Sequence, residues 1–404
     1  VLDPPDVTTF AAEARAWLGA QAGPRRRSSG ARGEGRFDVS VFHNLSPAEE
    51  GALIARAAAW QQAKAERGYH AIAWPGEFGG LGLTLSHERA FAREEAGFDV
   101  PAGHEILSVT VKLIAPTIAR HGTEAQRAEF VAPFLAATKL CCQLFSEPGA
   151  GSDLASLACR AERDGDSWVV NGQKVWSSGA RYAAYGELIC RSDPGAAKHR
   201  GMTAFLVPMD APGLEVRPIR QMSGGASFNE VFLTDVRIPD RLRLGAVGDG
   251  WPVALTTLGF ERAAAGGGGG RVGGTVAQVL DLAGHVGGGA DPVTRQRLAG
   301  LYIHYRLLAM NAARSAAAAR AGRTPGPEAS IGKLAWTAGM TRMSDTVSAL
   351  LGPRLAADTG EWGTYGWADH VLGAPGYRIA GGSDEIQRNI IAERVLGLPP
   401  EPRP

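Results

Sequence analysis

The stretch "CQLFSEPGAGSDLA", residues 142–155, decides the fold, because the chain changes its period there. Before it, "TTFAAEARAWLGAQ" (8–21), "PAEEGALIARAAAWQQAKAERG" (47–68) and "TEAQRAEFVAPFLAAT" (123–138) carry apolar residues at the 3.6-residue spacing of a helix face. Ser46 before Pro47 reads as a helix N-cap with proline in the first turn. After it, "SWVVNGQKVWSSG" (167–179), "GMTAFLVPMD" (201–210), "GLEVRPI" (213–219) and "NEVFLTDVRIP" (229–239) alternate with a period of two. Asn171-Gly172 predicts a hairpin turn, since both turn positions favour positive φ. From about 250 helical spacing returns in "RQRLAGLYIHYRLLAMNAARSAAAARA" (295–321) and "SIGKLAWTAGMTRMSDTVSALLG" (330–352). The expected fold is mainly α with a central antiparallel β domain. Its parts are a helical domain at 1–140, a β domain at 141–244 and a helical bundle at 245–404.

The 404 residues suffice for two or three domains with a large core. With 42 Lys and Arg against 41 Asp and Glu, the net charge is +1. That balance argues against nucleic acid as the main partner and gives no support to adhesion on an anionic membrane. The basic run "RRRSSGARGEGR" (25–36) sits among Gly and Ser and reads as a solvated loop. No run of about 18 apolar residues predicts a spanning helix, and "VLDPPDVTTF" has no leader-like pattern. Cys141, Cys142, Cys159 and Cys190 lack zinc-type spacing. The expectation is a reduced, cytoplasmic enzyme without metal, and the Ala- and Gly-rich composition suggests a GC-rich bacterial genome. None of the nine histidines lies in an HExxH pattern or is paired in sequence with a nucleophile.

Pro148-Gly149-Ala150-Gly151-Ser152 has little side chain, so its backbone N–H groups and the Ser152 hydroxyl are available to a phosphate; an ordinary turn is the alternative. Trp176 offers a flat apolar face, and Ser178 a hydroxyl two residues on, the same side of a regular strand. That surface suits a planar heteroaromatic ring. A second phosphate bed is offered by "YRIAGGSDEIQRNIIAERVLG" (377–397), where Gly381 and Gly382 run into a helix opening at Ser383. The glycines of "AAAGGGGGRVGG" (263–274) mark either close packing against a helix or ligand, or a flexible connector.

Together "FSEPGAGSDL" (145–154), "VNGQKVWSSGA" (170–180), "GGASFNEVFLTDVRIPD" (224–240) and "GGSDEIQRNIIAERVLGLP" (381–399) resemble the acyl-CoA dehydrogenase family, as do "IAWPGEFGGLGLT" (72–84) and "ARHGTEAQRAEFVAPFL" (119–135). The resemblance covers roughly 70–399; the first 70 residues fit by pattern alone. It implies an N-terminal helical domain, a middle β domain and a C-terminal four-helix bundle. It also implies FAD, and α,β-dehydrogenation of an acyl-CoA thioester to the trans-2-enoyl-CoA, with electrons passed to an electron-transferring flavoprotein. Carried over residue by residue, Gln143, Phe145 and Ser146 would line the flavin and Trp176 would cover one face. Ser178 would sit near N5, Gly151 and Ser152 at the pyrophosphate, and Ser383 and Glu385 would complete the cofactor site. Glu385 also has a plain reading, as a carboxylate favoured in a first helical turn.

Many members place the base immediately before the Gly-Thr/Ser of the tail, where this chain has Gly381. Isovaleryl- and long-chain-type members carry it earlier, directly before an arginine. Here "TTLGFERAAAG" (256–266) presents Glu261 and Arg262. Glu261 is thus the expected base, Gly381 the N–H donor to the thioester carbonyl, and Arg262 a residue of the substrate site. A solvated Glu-Arg pair on a helix surface is the alternative. Two departures concern the adenosine half of FAD: 284–296 lacks the family's Arg-x-x-Phe-Gly, and 349–353 lacks its Gln-x-x-Gly-Gly. A homo-oligomer, tetramer or dimer, is expected, with a heteromeric assembly with a related chain left open. An oxygen-using oxidase or monooxygenase, a non-catalytic assembly subunit and a carrier-protein thioester also stay open.

Overall fold

A computed structural model describes residues 5–25, 39–266, 272–321 and 326–400, without the side chains of 262–266 and 319–320. The basic run after Arg25 and the middle of the glycine run lie outside the described residues. By packing, the chain divides into two compact units. One holds 1–29, 45–219 and 226–257; the other holds 30–44, 220–225 and 258–404.

In the first unit, helices Val7–Gln21 and Leu85–Glu95 bury Phe10, Ala14, Leu18 and Phe91 with Ile72. Burying each of the larger of these apolar side chains contributes about 1.5–3 kcal/mol. Helix Pro47–Ala65 starts as its sequence requires. The Ser46 side chain accepts from the Glu49 N–H, and the Glu49 carboxylate accepts from the Ser46 N–H. A further helix runs Glu105–Ser108, widens to a π-turn over Val109–Ile114, and closes as Ala115–His121.

The sheet contains β1 (Cys141–Leu144), β2 (Arg160–Asp164), β3 (Ser167–Ser178), β4 (Tyr185–Arg191), β5 (Met202–Pro208), β6 (Leu214–Ile219), β7 (Phe228–Pro239) and β8 (Arg243–Leu244). Its order is β6-β7-β3-β2-β4-β5-β8, with β1 also beside β4. The sheet is mixed rather than wholly antiparallel. β1 pairs parallel with β4, Cys141 opposite Tyr185, because the β2–β3 hairpin intervenes between them in the chain.

The expected hairpin at Asn171-Gly172 does not form; β3 runs straight through it. The Asn171 amide instead donates to Asp235 Oδ1 at 3.0 Å and its oxygen accepts from the Asp235 N–H at 2.9 Å. These bonds sit at a register shift against β7. Gly172 is there for space: a Cβ would lie 2.7 Å from Cys159. The actual turn is Gly165-Asp166, with Gly165 at φ +64°.

The second unit is helical: Val276–His285, Pro292–Arg320, Ala329–Leu351, Gly366–Ile379 and a tail helix from Asp384. Trp367, Val279, Leu282, Met343 and Val347 form its core. At the C-terminal end of the glycine run, the chain passes closely over this core. A Cβ on Gly273 would meet His370, and one on Gly274 would meet Trp367.

Buried polar groups of the first unit include Lys174 and Glu187. Lys174 is fully buried; its Nζ donates to Glu147 Oε1 at 2.7 Å and to the Phe145 carbonyl at 3.1 Å. The Glu147 carboxylate also accepts from the N–H groups of Ala158 and Cys159. Glu187, on β4, accepts from Thr257 Oγ1 at 2.7 Å, and Thr257 contacts Thr117 Oγ1 at 2.9 Å. Burial, only partly opposed by the Thr257 bond, pushes its carboxyl up to about 8. The folded state therefore holds a proton that the unfolded chain releases near 4.5. Stability from this group is intact below that value and is lost as pH rises toward about 8, by up to about 1.4 kcal/mol per pH unit. Glu187→Gln is expected to fold and to flatten the decline of denaturant midpoint between pH 5 and 8. An unchanged pH slope would reject a protonated Glu187.

Candidate active site

Residues expected at the site occur in both units. In the first, β1 delivers half-buried Gln143 and buried Phe145, followed by half-buried Ser146. Ser146 is fixed by its carbonyl, which accepts from the Val175 N–H at 2.9 Å and so ties the loop to β3. Beyond it, Gly151 and Ser152 are exposed. Glu147 anchors the underside of this loop through Lys174; Gly149, Gly151 and Ser152 are left outward and Ala150 is buried. That anchor was not read from the sequence; the signal available was a charged residue inside an apolar strand.

Trp176 is 59% exposed and adopts φ +62°, a left-handed backbone that bulky side chains rarely take. It breaks the alternation of β3, so the simple placement of Trp176 and Ser178 on one side of a regular strand does not hold. A register shift between Lys174 and Ser177 absorbs the extra residue. The Phe228 ring meets the indole edge-on at 6.0 Å and props it up. An exposed Trp held at a strained backbone is a surface shaped for a partner. Ser178 is half-buried just beyond it, and the Asn229 amide donates to the Ser177 carbonyl at 2.9 Å.

In the second unit, Gly381 and Gly382 have φ +65° and +86°, so the turn needs both glycines. Their carbonyls are drawn to one side. Lys333 Nζ donates to the Gly382 carbonyl at 2.8 Å, and the Gln387 amide donates to Gly381 at 3.0 Å and Gly382 at 3.2 Å. Among the described residues, the Gly381 N–H makes no hydrogen bond. Asp384 is a strut here. Burial works against its charge, yet Arg378 (2.7 Å), Thr337 (2.9 Å) and nearby Lys333 hold its carboxyl below the ordinary value. Lys333 and Gln387 were not anticipated, since nothing in their sequence neighbourhood places them under a turn some fifty residues from Lys333.

Glu261, on helix Gly250–Gly266, meets this turn. A Cβ built at Gly381 would lie 3.3 Å from Glu261 Oε1. The carboxylate therefore stands against the position where a side chain of residue 381 would begin. Ser383 caps the tail helix, accepting from the Ile386 N–H at 3.4 Å. Glu385 is exposed and pairs with Arg388 at 3.6 Å, the plain helical role. The side chain of Arg262 lies outside the described residues.

The outward loop, the propped Trp176 and the Ser146 and Ser178 positions fit the ring side of a flavin. Among the described residues no cluster of His, Cys, Asp and Glu could hold a metal ion, and no helix is long and apolar enough to cross a membrane.

Residues 43–138, 142–236 and 248–396 match the N-terminal, middle and C-terminal domains of acyl-CoA dehydrogenase. The chain is 38% identical to acyl-CoA dehydrogenase IpdE1 of Mycobacterium tuberculosis, over 98% of this chain and 99% of that protein. Among solved structures it is similar to the Tcur3481-Tcur3483 steroid ACAD (TM-score 0.76, 26% identity, 99% of both chains). It is also similar to the ChsE4-ChsE5 complex from Mycobacterium tuberculosis (TM-score 0.71, 26% identity, 99% of this chain and 100% of that one). With the fold, the ring-side surface and the Glu261–Gly381 approach in place, the chain belongs to the acyl-CoA dehydrogenase family of FAD-dependent oxidoreductases.

Proposed function

We propose that this protein oxidises the α,β bond of a steroid-derived or similarly ring-bearing acyl-CoA to the trans-2-enoyl thioester. Electrons then pass to an electron-transferring flavoprotein. The approach of Glu261 Oε1 to Gly381 carries this reading, because it puts a carboxylate beside a backbone N–H with no other partner among the described residues. Those are the two groups that α-proton removal from a thioester needs: a base, and a donor to the oxygen that gains charge. The steroid-type substrate is supported by similarity to a structure described as a steroid ACAD.

FAD, when bound, supplies the two-electron acceptor. Gln143, Phe145, Ser146, Trp176 and Ser178 would hold its ring, with Gly151 and Ser152 toward the pyrophosphate and Ser383 and Glu385 completing the site. Glu261 takes the α proton, and the Gly381 N–H donates to the thioester oxygen. Arg262 belongs to the substrate side. Domain limits of 1–140, 141–244 and 245–404 are part of the same proposal, as is a cytoplasmic location, which the four free, buried cysteines support.

For assembly the sequence favours a homo-oligomer. Two observations support the heteromeric alternative, and we adopt it. The chain lacks the family's adenosine-binding segments at 284–296 and 349–353, and both similar structures carry two-component names. Tyr302, Ile303, Leu307 and Met310 stand exposed along helix Pro292–Arg320, an apolar face that an assembly would cover.

Glu261→Gln should keep its flavin absorbance and lose about 10²-fold or more in turnover with its best acyl-CoA; near-normal turnover rejects Glu261 as base. Gly381→Ala should lower stability by about 1–2 kcal/mol through its left-handed backbone and slow turnover by crowding Glu261, read by thermal unfolding and by rate. Wild-type stability and rate together would reject the turn geometry. Expressed alone, the chain should purify with little FAD and gain it when a related partner chain is co-expressed. Full FAD occupancy of the lone chain would restore the homo-oligomer.

A further inference from the structure

Trp176 leaves the sheet at a bulge. Lys174 pairs with Val231 and Ser177 with Asn229, so Val175 and Trp176 stand together opposite Glu230. Other groups make good the ladder bonds lost there. Before the indole, the Val175 N–H donates to the Ser146 carbonyl at 2.9 Å. After it, the Asn229 side-chain amide donates to the Ser177 carbonyl at 2.9 Å, and the Gly179 N–H donates to the Ser227 carbonyl at 3.1 Å. At Ser177 a side chain thus does what backbone does elsewhere in the sheet. The Ser177 carbonyl shares one planar peptide with the Ser178 N–H, so a bond that fixes the first also fixes the direction in which residue 178 sets off.

Stability alone does not account for an asparagine at this position. Asn229 and Ser177 are each 1% exposed. Asn229 Oδ1 and Ser177 Oγ make no hydrogen bond among the described residues. A buried acceptor left unmade costs folding free energy, and an apolar side chain of similar shape would avoid that cost. The backbone of Trp176 adds to it, since φ +62° is disfavoured for a bulky side chain. Both costs fall on one bulge. That bulge carries the exposed indole, whose edge is propped at 6.0 Å by Phe228, the residue before Asn229. Strain and unmet polar groups kept together beneath an exposed aromatic ring mark a place where the fit of a ligand outweighs folding.

We propose that Asn229 is a positioning residue for the flavin. By holding the Ser177 carbonyl it keeps the bulge that presents Trp176 to one face of the ring, and it aims the peptide that carries Ser178. The proposal rests on the ring-side placement proposed above. Asn229 is buried and acts through these neighbours, not on the cofactor itself. Two substitutions separate its shape from its donor. Leucine keeps the branching of the side chain and removes the donor. Aspartate keeps the shape: ionised, it has no proton to give and sets a negative charge against the carbonyl; protonated, it donates as asparagine does. A bulge that needs only a filled space accepts leucine, whereas one that needs the donor accepts aspartate at low pH alone.

The test uses the full chain, with its partner chain where FAD loading requires one. FAD affinity is measured by titration, and the visible spectrum of the bound flavin is recorded. Cooperative thermal unfolding verifies that each variant is folded. Asn229→Leu should weaken FAD binding about tenfold, the worth of one hydrogen bond, and alter the flavin spectrum. Asn229→Asp should show the same loss at neutral pH and recover toward wild type as pH falls through the titration of its own carboxyl. Where leucine does not fold, the aspartate variant carries the same comparisons. In a Trp176→Leu background, Asn229→Leu should cost little further affinity, because the indole is what Asn229 positions. Wild-type affinity and spectrum in the Asn229 variants overturn the proposal. So does an aspartate variant whose loss does not respond to pH, and so does full additivity with Trp176→Leu. In each of these cases a weakened Trp176→Leu leaves the ring-side placement standing. If Trp176→Leu binds FAD as wild type does, that placement fails and the role of Asn229 falls with it.

Discussion

The loop and strand proposed to take the flavin ring depend on one buried ion pair. Lys174 and Glu147 meet at 2.7 Å inside the first unit, and neither side chain reaches far into solvent. Taking two such charges out of water costs several kcal/mol for each, so the pair persists only because its remaining valences are filled. Lys174 also holds the Phe145 carbonyl, and Glu147 also holds the amides of Ala158 and Cys159. Three segments distant in sequence are thus tied to one point: the end of β1, the start of β2 and the middle of β3. The loop between them has its backbone secured from below, which leaves Gly151 and Ser152 outward. It also fixes β3 just before Trp176, where the strand departs from regular geometry.

The second unit solves a similar problem by different means. There the point of attachment is a turn of two left-handed glycines, gripped by Lys333 and Gln387 from one side. Asp384, held by Arg378 and Thr337, stiffens the step from turn to helix. In both places the groups offered to a ligand are main-chain or small, while the charged side chains do the fastening.

Much of this was legible in the sequence, for identifiable reasons. Change of period located the sheet, and Ser46-Pro47 and Ser383 announced helix starts, because capping is a local matter decided within four residues. The Glu261–Gly381 relation was anticipated only through family resemblance; spacing of 120 residues carries no contact information by itself. Asn171-Gly172 misled because its dipeptide preference was outweighed by a tertiary partner, Asp235, and by the close approach of Cys159. Lys174 and Lys333 were passed over because a charged residue looks the same in sequence whether it is solvated or buried. Only the packing of distant segments separates the two.

The approach of Glu261 to residue 381 imposes a rule of exclusion. The space a side chain would need at 381 is bordered at 3.3 Å by the carboxylate from the earlier helix. One volume thus admits an acid from either of two directions in the chain, but not from both. Moving the acid from one origin to the other requires two changes made together, since either alone leaves the volume empty or doubly filled. Glycine at 381 and glutamate at 261 are therefore a single structural unit, written at two addresses.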